Sequence, residues 1–352
     1  MLVDQVETIA DLLACPLCHG ALVPADGDRL RCTTPDCAHH AEPYPRLGGK
    51  HVLIDFDNSV LDRDATLASN ASSVVGRGRW RALLSRVIDG TNRYAAVFAR
   101  LMIDGLRRAD GEKPVIVAFG AGEIGFGSEE LYRSPDVRVV SFDIYNSPDI
   151  TFVADAHAIP LKDGSADAVW IQGMLELVVD PRKVVAEARR VLKPGGLLFT
   201  DTAFMWPVCE QAYDYNRWSP SGLRWLFRDF DVLAAGQSTG PGTMTVLSIR
   251  YLMQSLLRST KLGQIAALPF VWLRLLDYLG DDRRSLDAAV GMFIFGRKTG
   301  TPLEIEGLLA YYDEQPLFRR DLSRIKRART IAEAFPTLRL SDHQRGNDEQ
   351  RP

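Results

Sequence analysis

The sequence predicts an α/β fold built on a largely parallel sheet, preceded by a small cysteine-bound ribbon. Three observations carry that expectation. Four short apolar runs, Pro114–Phe119, Val137–Phe142, Ala166–Ile171 and Leu197–Thr200, are interleaved with helix-like patterns. That alternation is how strands joined by crossover helices read. Glycines Gly120, Gly122 and Gly125 follow the first run, where a strand gives way to a helix-like stretch. Four of the five cysteines, Cys15, Cys18, Cys32 and Cys37, fall within 23 residues near the start of the 352-residue chain.

The ribbon comes first, over residues 1–57. Cys15-Pro-Leu-Cys18 sets two thiolates across a tight knuckle, and Cys32 with Cys37 supplies a second pair after a gap suited to a hairpin. Two such pairs match a tetrahedral zinc that is coordinatively closed, hence structural. The wider spacing of the second pair leaves His39 or His40 as a substitute ligand, and four reduced, buried cysteines without metal are the alternative. The text from Leu12 to Gly20 and from Tyr44 to Ile54 resembles the short zinc-ribbon family that activates certain tRNA and protein methyltransferases. The resemblance covers the leading CPxC, the second cysteine pair and the Tyr-Pro…Gly…Val-Leu ending.

Residues 58–110 read as a helical linker or lid, with apolar residues near helical spacing from Trp80 to Leu106. The main domain follows over 111–300. Gly120-Ala-Gly-Glu-Ile-Gly125 lets backbone approach a ligand closely, as a nucleotide-type cofactor requires. Asp143 ends the second apolar run, about 20 residues on, where an acid can accept from both hydroxyls of a ribose. Asp155 closes a third expected strand in Phe152-Val-Ala-Asp-Ala-His157, and Asp167 is expected to cap or pin a strand. Asp180 and Pro181 suit the start of a helix whose apolar face is Val184, Val185, Ala188 and Leu192, stopped by Lys193-Pro-Gly-Gly196.

Taken in order, these elements resemble the class I methyltransferases of the type found in ubiquinone and menaquinone biosynthesis, over residues 115–200. The resemblance implies a Rossmann-like, seven-stranded sheet and S-adenosylmethionine as cofactor. It implies that Gly120, Ala121 and Gly122 line the methionine portion and that Asp143 with Ile144 holds the ribose. Asp155 with the Ala156 backbone is then at the adenine, and Gln172, with Gly173 and Met174, borders the methyl-transfer face. The chain departs from the family at Ala118, where an acid is usual, at Ile124, where the third glycine normally falls, and at Leu177, where a histidine is frequent.

The acceptor side is expected in 204–228. Methyl transfer needs a nucleophile aligned with the sulfonium, and a hydroxyl acceptor gains from a general base. The catalytic candidates are His157, Tyr215 and Arg217, with His157 equally suited to a surface turn. Tyr213 and Asp214 are further acceptor contacts, and Trp218 is placed to stack on a sugar or ring. Trp225 and Phe227 are expected to be buried on a helix opened by Ser219-Pro220, Glu176 to sit on a helix face, and Cys209 to be an inert buried thiol. Asp214–Phe227 with Gly240-Pro241 resembles a subgroup associated with glycan or lipid-linked sugar biosynthesis. The activity expected is therefore O-methylation of a glycan, lipid-linked sugar or small metabolite. A catalytically degenerate partner subunit and an RNA or protein methyltransferase are the alternatives.

A helical insert at about 245–285 suits core packing, a lid, a dimer face or a membrane-surface patch. Residues 301–352 read as a helical extension with a polar tail over 341–352. A net charge of −3 advertises no nucleic-acid field. An Asn/Asp-Pro-Pro-Tyr/Phe amine-methylation motif is absent from the sequence, and basic Arg319–Arg320 and Arg324–Arg329 read as a solvated face. The start carries Asp4, Glu7 and Asp11 in place of a basic signal region, and no apolar run has the ~20 residues that span a bilayer. A cytoplasmic protein is expected, with peripheral membrane contact left open.

Overall fold

The computed structural model describes residues 3–69, 92, 94–108, 110–314, 325–328 and 330–335. The beginning of the helical stretch at Trp80, the arginines 319, 320, 324 and 329, and the tail 341–352 lie outside the described residues.

Strand β5 (Val115–Phe119) is buried at every position. That is what a continuous apolar run means in a parallel sheet covered on both faces. It pairs with β6 (Arg138–Asp143) on one side and β8 (Ala166–Gln172) on the other, both parallel. Short β7 (Phe152–Val153) adds beyond β6, and β9 (Leu192–Ala203) beyond β8. Two antiparallel strands, β11 (Gly291–Lys298) and β10 (Phe230–Thr239), finish the sheet in the order β10-β11-β9-β8-β5-β6-β7. The chain winds outward from β5 to β7 and then returns to β8 on the other side. Ligands bind at such a reversal, beyond the carboxyl ends of the strands.

Asp167 pins the start of β5: its Oδ2 accepts from the Val115 N–H at 2.9 Å, while its Oδ1 meets Arg108 and Lys193. The expected helix spans Pro181–Val191, with the Asp180 carboxylate accepting from the Arg182 and Lys183 N–H groups. Leu192, expected on its apolar face, is instead the first residue of β9, which takes in Lys193–Gly196. Strand β10 had no expectation behind it. Its centre is Ala234-Ala-Gly236, poor in the branched residues that mark strands, and Gly236 lies close under the Phe293 ring, where a Cβ would stand at 3.3 Å.

The cysteine-rich segment is stitched into this sheet. Hairpin β1 (Leu22–Ala25) and β2 (Arg29–Cys32) carries Cys32. A second hairpin, β3 (Arg46–Leu47) and β4 (Lys50–His51), turns on Gly48 and Gly49, both at positive φ. That backbone matches the tight turn favoured between antiparallel strands. Beyond it, Val52 bridges Val153 in parallel and the Leu53 N–H donates to the Val153 carbonyl at 2.8 Å, so the segment continues the sheet past β7. Leu13 bridges Leu161, and Cys15, Cys32 and Cys37 share one buried cluster with Val117 and Phe142.

Residues 241–278 form the helical insert. Helix Pro241–Leu257, helix Thr260–Ala267 and the 3-10 stretch Leu268–Tyr278 fold back on one another. Core packing accounts for the small interior alone, Val246 and Ala267, with Val271 and Leu273 against them. The large apolar side chains point outward.

Candidate functional site

A cavity of about 520 Å³ opens at the strand reversal, within the range of small-molecule sites. Its walls come from the ends of β5, β6, β8 and β9, the sheet positions the topology favours.

After β5, Gly120 takes φ +65, and a Cβ there would lie 2.7 Å from Met174. The Gly122 N–H donates to Asp143 Oδ2 at 2.8 Å, and the Tyr145 N–H donates to Asp143 Oδ1 at 3.0 Å. Burial pushes the Asp143 carboxyl up, against these backbone donors and the Ile144 N–H. Each oxygen keeps acceptor capacity, and the residue lines the cavity. Gly120, Gly122, Ile144, Ala156 and Gln172 line it as well. Ala121 does not: it is buried behind the loop, its N–H given to the Phe142 carbonyl at 3.0 Å. The late glycine has a reason too. A Cβ on Gly125 would stand 2.4 Å from Gln172 Oε1. That oxygen accepts from Trp170 Nε1, while Gln172 Nε2 donates to the Phe126 carbonyl at the rim.

Asp155 is buried with both oxygens engaged. Oδ1 accepts from the His157 N–H and its ring Nδ1, and Oδ2 accepts from Ser59 Oγ. Burial raises such a carboxyl, but His157 and Ser59 outweigh it and hold Asp155 below the usual range. His157 Nε2 takes the Asp180 N–H at 3.2 Å. Both ring nitrogens of this candidate base are therefore occupied. It braces Asp155 against the next helix and offers no lone pair to a substrate.

Arg217 also leaves the candidate list. Its guanidinium grips Asp214 through both oxygens and reaches the carbonyls of Trp206, Asn216 and Pro207, fixing the loop from behind. Trp218 packs against the core, Phe227 is buried, and Trp225 is half-buried with Arg228 over its ring. Tyr215, 46% exposed, does line the cavity, with Tyr213 and Trp206.

Two carboxylates face this acceptor half: Glu176, which was expected on a helix face, and Asp201, which sequence reasoning passed over. Glu176 lies in the turn Leu175–Leu177, buried rather than on a helix face, and Thr202 Oγ1 donates to its Oε2 at 2.8 Å. Burial pushes it up. Asp201, near the end of β9, is lifted to about 7 by burial, with Asn92 and Ser238 pulling it down and Glu176 adding to the rise. A carboxylate near neutrality is what proton removal at physiological pH needs. The available signal was an acid closing an apolar run, Leu197-Leu-Phe-Thr-Asp201, the same one that marked Asp143. Cys209 is half-buried on the same wall, its thiol pushed up to about 12 by burial and by Glu176 and Asp214. A thiol so raised stays protonated at neutral pH.

The four remaining cysteines converge elsewhere. All four Sγ atoms lie within 4.8 Å of one another, with Cys15 and Cys37 at 3.7 Å and Cys18 and Cys32 at 3.3 Å. The Tyr44 hydroxyl sits 3.1 Å from Cys15 Sγ. Neither histidine is a substitute ligand: His40 Nδ1 pairs with the Cys32 carbonyl and His39 stacks on Tyr44.

The strand order and the glycine-loop cavity have a counterpart among known families. Residues 119–200 match the methyltransferase domain family. This segment is a class I methyltransferase domain. A demethylmenaquinone methyltransferase of Renibacterium salmoninarum is 38% identical over 109 residues, which span 28% of this chain and 44% of that protein. A ubiquinone/menaquinone biosynthesis C-methyltransferase of Acidiphilium cryptum is 45% identical over 67 residues, 19% of this chain and 27% of its own length. The chain thus matches less than half of either relative. Among solved structures, a Haemonchus contortus phosphoethanolamine N-methyltransferase aligns at TM-score 0.42 and 16% identity, covering 73% of this chain and 61% of that one.

Proposed function

We propose that this chain transfers a methyl group from S-adenosylmethionine to a small hydroxylated ring. The observation that carries the reading is Asp143, a carboxylate that orders the glycine loop through Gly122 and still faces the cavity. In this reading Gly120 and Gly122 admit the methionine portion, Asp143 and Ile144 hold the ribose, and Asp155 with Ala156 borders the adenine. When bound, the cofactor supplies an electrophilic methyl group on a sulfonium. The residues present fit it: a Cβ at Gly120 or Gly122 would fill the cradle, standing within 2.9 Å of Met174 or Asp143.

The acceptor half argues for a planar ring. Trp206, Tyr213 and Tyr215 offer aromatic faces, whereas Arg217, a catalytic candidate, and Trp218, expected to stack on a sugar or ring, are turned to other work. The names of the relatives, directed at quinone rings and at carbon, support the same class. Asp201 takes the proton of a ring hydroxyl, which makes the ring carbon beside it nucleophilic. That carbon accepts the methyl group, and its own hydrogen leaves to water at the cavity mouth. The oxygen-directed transfer expected from the sequence starts from the same anion, and the product's NMR spectrum distinguishes the two.

The four cysteines are proposed as ligands of a structural zinc. Bonds of ~2.3 Å in a tetrahedron set sulfurs about 3.8 Å apart, close to the separations found. Four thiolates leave no open position, so the metal takes no part in methyl transfer.

Calorimetry of the protein with S-adenosylmethionine, beside Asp143→Ala, tests the cofactor assignment. Two lost charge-assisted hydrogen bonds predict affinity on the order of 100-fold weaker. A variant that binds within threefold of the parent would falsify the ribose site.

A further inference from the structure

The fold-back element of residues 241–278 carries a surface that the methyl-transfer chemistry does not use. Its interior is made of small groups. A Cβ on Gly242 would stand 2.3 Å from the Leu273 carbonyl oxygen, and one on Gly263 would stand 2.8 Å from the Arg250 carbonyl oxygen. The three pieces are therefore in backbone contact. The large side chains are not needed to hold them together. Leu252, Leu256, Ile265, Trp272, Leu275 and Leu279 are all outside, each between 58% and 81% exposed. Monomeric proteins seldom leave such side chains contiguous in water without a partner for them.

The charges on the element say which partner. Residues 241–280 hold four cations, Arg250, Arg258, Lys261 and Arg274, against one acid, Asp277, in a chain whose net charge is −3. That acid is turned inward. Its carboxylate accepts from the N–H groups of Gly240, Gly242 and Thr243 and from Thr243 Oγ1, capping the helix Pro241–Leu257. What reaches solvent is an apolar surface with Arg258 and Lys261, both exposed, at its helix junction. A second copy of the same face would oppose like charges, because an isologous interface meets itself. A bilayer with anionic headgroups satisfies both features at once: apolar side chains enter the acyl boundary while cations meet phosphates. No helix among the described residues is long and apolar enough to cross a membrane, so the contact is one of lying on the surface.

We propose that this element is an interfacial anchor that seats the protein on anionic lipid. It grows directly from the cavity: Ser238 and Thr239 line the wall, and the first helix begins two residues later at Pro241. Seated this way, the methyltransferase domain holds its acceptor half beside the bilayer.

Flotation with vesicles of phosphatidylcholine containing about one third phosphatidylglycerol tests the proposal, with pure phosphatidylcholine beside it. The protein is expected to float with the anionic vesicles, and brominated acyl chains are expected to quench the fluorescence that Trp272→Phe removes. Arg258→Glu with Lys261→Glu is expected to weaken binding roughly tenfold or more. Leu256→Ser with Ile265→Ser is expected to abolish it while the circular dichroism spectrum is kept. Failure to float overturns the proposal. So does a doubled mass with Trp272 shielded from acrylamide, which assigns the face to a second copy. A monomer in which Trp272 is already shielded overturns it too, because the chain then covers its own surface. None of these readouts uses methyl transfer, so the anchor can fail while the catalytic reading stands, and the reverse.

Discussion

Asp201 and Asp143 are the same kind of residue put to different ends. Each closes an apolar strand, and each is pushed up by burial. Asp143 has backbone donors on both oxygens, whereas Asp201 faces Asn92, Ser238 and the charge of Glu176. A base works in its deprotonated form, so kcat/KM is expected to rise with pH through about 7 and to fall away below it. Asp201→Asn should remove that limb and lower the rate by about 10²–10⁴-fold, read as a pH–rate profile with a hydroxyquinone acceptor. An unchanged limb in the variant would sink the assignment. That Asp143 and Asp155 line the cavity was legible because the spacing from one strand end to the next is local information. The pair Glu176 and Asp201 was not, because only the β8–β9 register, with Gln172 opposite Asp201, brings them together. His157 and Arg217 misled for the converse reason. Residue type suggested chemistry, but Asp155 and Asp214 had already claimed them.

At the scale of elements, capping decides more than composition does. The Asp180–Pro181 start was readable because the acid lies beside the helix it caps. Asp277 caps the helix Pro241–Leu257 from 35 residues away, and a sequence window does not see that partnership. Removing a cap costs about 0.5–2 kcal/mol. Asp277→Ala, which loses four hydrogen bonds at one end of the element, is expected near the upper figure in urea unfolding. A loss below about 0.3 kcal/mol would mean the cap is idle. The insert read as core, lid, dimer face or membrane-surface patch, because apolar letters do not say which side of a helix is left uncovered. β10 escaped notice for the opposite reason: its alanines and Gly236 make room for the Phe293 ring, a packing need that no strand propensity records.

For the whole molecule, the cysteine-rich segment and the methyltransferase domain share a core, so the zinc proposed for the four cysteines is coupled to the stability of the whole fold. The buried cluster running from Cys15, Cys32 and Cys37 to Val117 and Phe142 predicts that stripping the metal lowers the melting temperature of the entire chain. Calorimetric scans with and without a thiol-compatible chelator check this, and an unchanged single transition would separate the two. The stitching was not readable from the sequence, because Val52 and Val153 are far apart in the chain. That bridge has a further meaning. An uncovered edge strand leaves backbone amide and carbonyl groups without ladder partners, and proteins keep such edges short or cover them. Val52 and Leu53 occupy the vacancy from within the same molecule. The turn on Gly48 and Gly49 thus delivers to the sheet a cover for the edge beyond β7 from within the same chain.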